Sequence, residues 1–136
     1  MKPGVVFSSG DQQLIYFKNF ADSSWYKALL SEIDWKQNSI RLFGKVHNEP
    51  RLNAWFGKPY SYSGIDWPRQ DLIALLEAIR KKLSLQFSFD FNSCLCNFYR
   101  DGNDSIGWHS DDEQEMDQSL VASLSFGEPR IFKIRN

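Results

Sequence analysis

His109 and Asp111 stand two residues apart, on either side of Ser110. Along an extended segment side chains alternate between faces, so an imidazole and a carboxylate at this spacing share one face. They are two of the three protein donors of a 2-His-1-carboxylate site, which holds Fe(II) and leaves coordination positions open. A bare His-x-Asp recurs by chance, so the weight falls on its flanks. These run Asn97-Phe98-Tyr99-Arg100-Asp101-Gly102-Asn103-Asp104-Ser105-Ile106-Gly107-Trp108 before the pair, with Asp112 and Glu113 directly after it. Asn97 and Tyr99 also share a strand face, and a buried amide or phenol needs a partner.

Elements must position these groups. Residues 93–99 alternate, with Cys94, Cys96 and Phe98 facing one way and Leu95, Asn97 and Tyr99 the other. Residues 101–104 carry turn chemistry. Downstream, Leu120, Ala122, Leu124 and Phe126 form one face of an expected strand, Gly127-Glu128-Pro129 turns, and residues 130–135 read as a last strand. Upstream, 14–17, 39–43 and 52–56 read as strands. Asp22 or Ser23 caps a helix whose stripe is Tyr26, Leu29, Leu30 and Ile33. A second helix is expected with Pro68 in its first turn, an apolar face of Leu72, Leu75, Leu76, Ile79 and Leu83, and a solvated end at Arg80-Lys81-Lys82. Two helices among many short strands give an α+β chain with the helices on one side of a sheet.

The chain has 136 residues, 42% hydrophobic and 15% aromatic, which suits one globular domain over residues 1–136. No apolar run is long enough to span a bilayer, and Met1-Lys2-Pro3-Gly4-Val5-Val6-Phe7 is no signal peptide. A cytoplasmic, nucleoid or nuclear location is the expectation. The formal net charge of −1 neither advertises nor excludes a nucleic-acid partner. Arg41, Lys45 and Arg51 cluster around one segment, while carboxylates crowd residues 111–117. Cys94 and Cys96 sit at strand spacing with no second pair to complete a zinc site, and read as reduced, apolar thiols.

The flanks of His109 resemble the AlkB family of Fe(II)/2-oxoglutarate dioxygenases, which repair alkylated nucleic acid. The shared positions are Asn97, Tyr99, Asp101, Gly102, Asp104, Ile106, His109, Asp111, Asp112 and Glu113. Leu42-Phe43-Gly44-Lys45 with Pro50-Arg51 is similar to the family's substrate-binding hairpin, and Tyr60-Ser61-Tyr62-Ser63-Gly64 to its base-pocket segment. Residues 122–127 and Arg130-Ile131-Phe132 resemble the strands after the metal motif.

The resemblance implies a double-stranded β-helix, or jelly roll. It implies Fe(II), 2-oxoglutarate and O2 as cofactor and cosubstrates, and alkylated bases in DNA or RNA as substrate. His109 and Asp111 are the implied metal ligands, and Asn97 and Tyr99 the implied contacts to 2-oxoglutarate. Asp112 and Glu113 read the base or fix the ligands. Tyr60 and Tyr62, with Ser63, offer an aromatic face to an extruded base. Phe43, before Gly44, is either a wedge entering the base stack or a core phenylalanine at a strand end. Arg51 is a candidate phosphate contact.

The family's third ligand, a His, and its 2-oxoglutarate-clamping arginine belong beyond the Arg-x-Phe strand. The chain reaches Asn136 before either, so the expected roll is C-terminally incomplete. His47 is a remote substitute for the third ligand. Two functions follow: oxidative demethylation, or an incomplete fragment that binds nucleic acid without turnover. An unpaired strand at 130–135 is expected to drive self-association.

Overall fold

The computed structural model describes residues 4–62, 64–111, 116–117 and 119–135. The chain divides into two compact units, one of Met1–Leu30 with Ser123–Asn136 and one of Ser31–Ala122.

The first unit opens with a hairpin. Strand β1 (Gly4–Ser9) pairs antiparallel with β2 (Gln12–Tyr16), and the register slips between Val5 and Phe7. Helix α1 (Ser23–Glu32) follows. Its start is set by Asp22, whose carboxylate accepts from the Ser24 backbone N–H at 2.8 Å and from the Ser24 hydroxyl at 2.7 Å. That satisfies one of the donors a helix N-terminus leaves open. Of the expected stripe, Leu29 and Ile33 are buried and Leu30 half-buried, while Tyr26 is exposed.

The second unit carries every described candidate site residue. Strands β3 (Ser39–Leu42) and β4 (Lys45–Asn48) form a hairpin. Phe43 and Gly44 are its two-residue tip, both at positive φ, +49° and +77°. A tight hairpin turn whose twist matches its strands demands that backbone, and glycine supplies half of it without strain. Strand β5 (Leu52–Phe56) pairs antiparallel with β8 (Cys94–Phe98) across a long sequence interval. Between them β6 (Tyr60–Tyr62) pairs with β7 (Ile65–Trp67), and helix α2 (Ala74–Phe87) follows. The buried residues Ala54, Trp55, Phe56, Tyr60, Leu76, Ile79 and Leu83 form this unit's apolar interior.

Four expectations need correction. Pro68 does not open α2, which begins six residues later. Gln70 exchanges both backbone hydrogen bonds with Gly57, at 2.7 and 3.1 Å, and a residue held in a β-bridge is not free to coil. Gly57 itself has φ +134°, and a Cβ there would collide with Ser93. Second, Arg80-Lys81-Lys82 is not a helix end, since α2 runs on to Phe87. Arg80 is instead held by Glu77 at 2.8 Å, Asp90 at 3.2 Å and the Phe91 carbonyl at 3.1 Å.

The other two concern residues 120–126 and 130–135, which enter no ladder. The first segment keeps a strand's alternation, with Leu120, Ala122, Leu124 and Phe126 half-buried and Val121, Ser123 and Ser125 exposed. A strand, however, is a pairing between backbones rather than a property of one segment. Among the described residues neither segment is assigned to a strand. The sheets there are four separate two-stranded antiparallel pairs.

Candidate functional site

The register of β5 on β8 sets Asn53 opposite Asn97. Glu49, Arg51 and Asn53 occupy alternate positions leading into β5. Polar groups at this period normally mark a wet face, but here all three are inside, at 3%, 5% and 1% exposure. They satisfy one another. The Glu49 carboxylate accepts from Arg51 Nη2 at 2.6 Å and from Asn53 Nδ2 at 2.7 Å. Arg51 Nε donates to Asn97 Oδ1 at 2.9 Å, and Nη1 reaches the Ser105 carbonyl at 3.4 Å. Asn38 Nδ2 donates to Asn53 Oδ1. A buried ion pair is costly to desolvate, and it persists only where further hydrogen bonds complete it, as they do here.

The loop from β8 towards His109 is also braced. Asp104, 6% exposed, accepts from the Arg100 backbone N–H at 2.9 Å and from its guanidinium at 2.7 and 2.9 Å. That bidentate contact holds the Arg100 guanidinium above its ordinary pKa and closes the turn. The Asn103 N–H donates to Asp101 at 2.8 Å. Ser105 N–H donates to the Pro50 carbonyl at 2.8 Å, tying the loop to the residue before Arg51.

At the loop's far end His109 Nδ1 lies 2.8 Å from the Gly107 carbonyl. A carbonyl only accepts, so Nδ1–H donates to it, and Nε2 is the ring nitrogen left for a metal. Nε2 lies 3.6 Å from Asp111 Oδ1, and both side chains are accessible, at 34% and 49% exposure. A metal-binding histidine commonly donates its other ring N–H to a backbone carbonyl, which fixes tautomer and orientation. A divalent ion sits roughly 2.0–2.2 Å from such nitrogen and oxygen donors. Atoms 3.6 Å apart can therefore share one ion, and the donor set fits a divalent metal. Among the described residues no third His, Cys, Asp or Glu joins them. His47 lies on β4, opposite Ile40 and exposed, and is not brought to the pair.

The remaining candidates are dispersed over the unit. Phe43 is fully exposed at the hairpin tip, at 103%, which removes the core reading. Arg51 is not a surface cation; its guanidinium is buried in the network above, so it offers no exposed donor to a phosphate. Tyr60 is buried, with its ring stacked on Trp55 at 4.4 Å between centroids and 18° between planes. Trp55 in turn donates Nε1–H to the Lys58 carbonyl at 2.7 Å. One face of Tyr60 is thus taken by Trp55. Tyr60 still lines an open depression of about 520 Å³ with Pro59, Ser61, Asp66, Trp67 and Pro68. Asn97 lies on β8, and Tyr99, half-buried, just beyond it. Ser63, Asp112 and Glu113 lie outside the described residues, as does the side chain of Tyr62.

Glu49, Asn38, Asn53 and the Arg100–Asp104 clamp were not anticipated as parts of the site. The available signal was the alternation Glu49, Arg51, Asn53 running into an otherwise apolar strand.

The sequence profile of the 2OG-Fe(II) oxygenase superfamily matches residues 13–136. The chain belongs to that superfamily, in its AlkB family. An AlkB-family relative from Mus musculus, alpha-ketoglutarate-dependent dioxygenase alkB homolog 3, is 38% identical over 123 residues, covering 88% of this chain and 43% of the relative. DNA oxidative demethylase ALKBH2 from Bos taurus is 35% identical over 133 residues, covering 93% of this chain and 48% of the relative. The ALKBH2 of Homo sapiens is 41% identical over 101 residues, covering 71% and 39%. The chain thus spans less than half the length of these relatives. The superfamily is an Fe(II)- and 2-oxoglutarate-dependent one, with a jelly-roll fold, and the His109–Asp111 donor pair suits its metal.

Proposed function

We propose that the chain is the substrate-recognising and metal-binding part of an oxidative demethylase acting on N-alkylated bases of DNA or RNA. The observation that carries this reading is His109, whose Nδ1–H is anchored on Gly107 and whose Nε2 faces Asp111 at 3.6 Å. His109 and Asp111 hold the metal. Asn97 and Tyr99 hold 2-oxoglutarate, the amide N–H and the phenol O–H each donating to a carboxylate oxygen. When bound, Fe(II) with 2-oxoglutarate supplies the reduction of O2 that oxidises the N-alkyl carbon, with succinate and CO2 as co-products and an N-methyl group lost as formaldehyde.

The chain's own residues bring the base to that chemistry. Phe43, fully exposed on a stiff two-residue turn, enters the base stack beside the alkylated position. Extrusion of the base is cheaper where alkylation has already weakened its pairing. The depression lined by Tyr60 and Ser61 receives the base. Tyr62, Ser63, Asp112 and Glu113 complete base recognition, the carboxylates accepting from an exocyclic amine or a cationic methylated ring. Such an enzyme works where nucleic acid is, in the cytoplasm, nucleoid or nucleus. No described helix is long and apolar enough to cross a membrane.

Among the described residues no third His, Cys, Asp or Glu joins His109 and Asp111, which favours a second reading: nucleic-acid binding without turnover. One assay separates the two. Formaldehyde release from an N-methylated oligonucleotide is measured with Fe(II) and 2-oxoglutarate, for this chain and for this chain fused to the corresponding C-terminal segment of the mouse relative. The demethylase reading expects release that disappears in His109→Ala and Asp111→Ala. Release that survives both substitutions contradicts it, and binding without release in either protein leaves the second reading standing.

A further inference from the structure

We propose that Arg51 is a positioning residue for the cosubstrate, acting through Asn97. It fixes the Asn97 amide in the one orientation that turns its N–H donors towards a 2-oxoglutarate carboxylate. This rests on the assignment of Asn97 to 2-oxoglutarate made above.

An asparagine amide has an accepting end and a donating end of nearly the same shape, and only its neighbours decide which points where. A carboxylate accepts and never donates, so an Asn97 that binds one must present Nδ2. Left to itself, the amide can equally turn Oδ1 that way and repel the ligand. Arg51 removes the choice. A guanidinium only donates, and its Nε–H meets Asn97 Oδ1 at 2.9 Å, so Nδ2 is held on the opposite side.

Arg51 is itself fixed. Glu49 takes Nη2 at 2.6 Å and the Ser105 carbonyl takes Nη1 at 3.4 Å. Glu49 is steadied in turn by Asn53 Nδ2 at 2.7 Å. The chain Asn53–Glu49–Arg51–Asn97 leaves β5 and returns to it across the Asn53–Asn97 register, and its first three members are at most 5% exposed. A rigid buried relay that ends on an amide oxygen does nothing for a surface phosphate contact, but it sets the direction of one pair of donors.

The test is a double-mutant cycle, which isolates coupling between two residues. Calorimetry follows 2-oxoglutarate binding in the presence of Mn(II). The proteins are the unaltered chain, Asn97→Ala, the paired variant Glu49→Gln/Arg51→Met, and the three substitutions together. The paired change leaves no unpaired buried charge and keeps an acceptor for Asn53. Asn97→Ala is expected to weaken 2-oxoglutarate by about tenfold, the size of one charge-assisted hydrogen bond. The paired variant should weaken it several-fold while Mn(II) affinity holds, and the triple variant should be no weaker than Asn97→Ala.

Unchanged affinity in the paired variant, or an additive loss in the triple variant, overturns the role of Arg51 and leaves Asn97 in place. Unchanged affinity in Asn97→Ala removes Asn97 from the cosubstrate site and this proposal with it. A measurement on the unaltered chain guards against misfolding. With Zn(II) bound, the Asn97 side-chain NH2 resonance should shift on adding 2-oxoglutarate, while the Arg51 Nε–H stays protected from exchange. A fixed NH2 resonance, or a rapidly exchanging Nε–H, refutes the relay.

Discussion

Truncating Phe43 to alanine separates a nucleic-acid contact from a structural side chain, because the two roles move different observables. Phe43 is 103% exposed on the tip of the β3–β4 hairpin, so its removal forfeits no buried apolar area. The change in folding stability should stay within about 0.5 kcal/mol, as for other surface substitutions. A phenylalanine buried in a core would instead cost roughly 3–5 kcal/mol. Aromatic stacking on a base is worth roughly 1–3 kcal/mol by alanine substitution. Affinity for a methylated oligonucleotide should therefore fall about 5- to 150-fold at one salt concentration. The assay is fluorescence anisotropy with a labelled oligonucleotide, paired with urea unfolding of both proteins. Unchanged affinity removes Phe43 from the interface, and a stability loss of core size contradicts its exposed position.

Other consequences follow from the same contacts. Arg51→Ala leaves the Glu49 carboxylate buried without its ion-pair partner, and should cost about 3–5 kcal/mol, a fall in Tm on the order of 10 °C; an unshifted melting curve denies that the pair is buried. Cys94 and Cys96 are free thiols with sulfurs 3.3 Å apart. The hydrogen bond between the two thiols lowers the Cys94 pKa from its ordinary value, while that contact and burial push Cys96 up. As pH rises Cys94 should be alkylated first, read by peptide mass spectrometry after timed iodoacetamide treatment; equal labelling rates are the contrary result. Residues 130–135 present Ile131, Phe132 and Ile134 at 84%, 73% and 47% exposure, an exposed apolar stretch. Self-association rising with concentration is expected in sedimentation velocity and should drop in Phe132→Lys, since a charge breaks up an exposed apolar patch; a monomer at all concentrations rules this out.

Local features were legible in the sequence where one short-range rule decides them. The Asp22 cap, the α1 stripe, β3, β5 and β8, and the Phe43-Gly44 turn each depend on a few neighbouring residues. The start of α2 was not legible, because Gln70 is held by Gly57, thirteen residues away. Nor were strands at 120–126 and 130–135, since alternation announces a face but not the partner that makes a ladder. In the candidate site, the spacing of His109 and Asp111 pointed to a shared face, and their side chains do stand 3.6 Å apart. The burial of Arg51 could not be read from spacing: arginine is normally a surface residue, and only the β5–β8 register shows that Glu49, Asn53 and Asn97 surround it. Tyr60 was read as an open aromatic face for the same reason, its stack on Trp55 depending on the bend between β5 and β6.

The metal-centre claim is tested most directly by calorimetric titration of Mn(II), a redox-quiet stand-in for Fe(II), into this chain and into its His109→Ala, Asp111→Ala and doubly substituted forms. One ion should bind per chain, more weakly than to a three-ligand site, and the heat of binding should vanish in each variant while their melting curves stay close to the original. Binding that persists unchanged in the double variant contradicts the metal centre, and with it the demethylase reading.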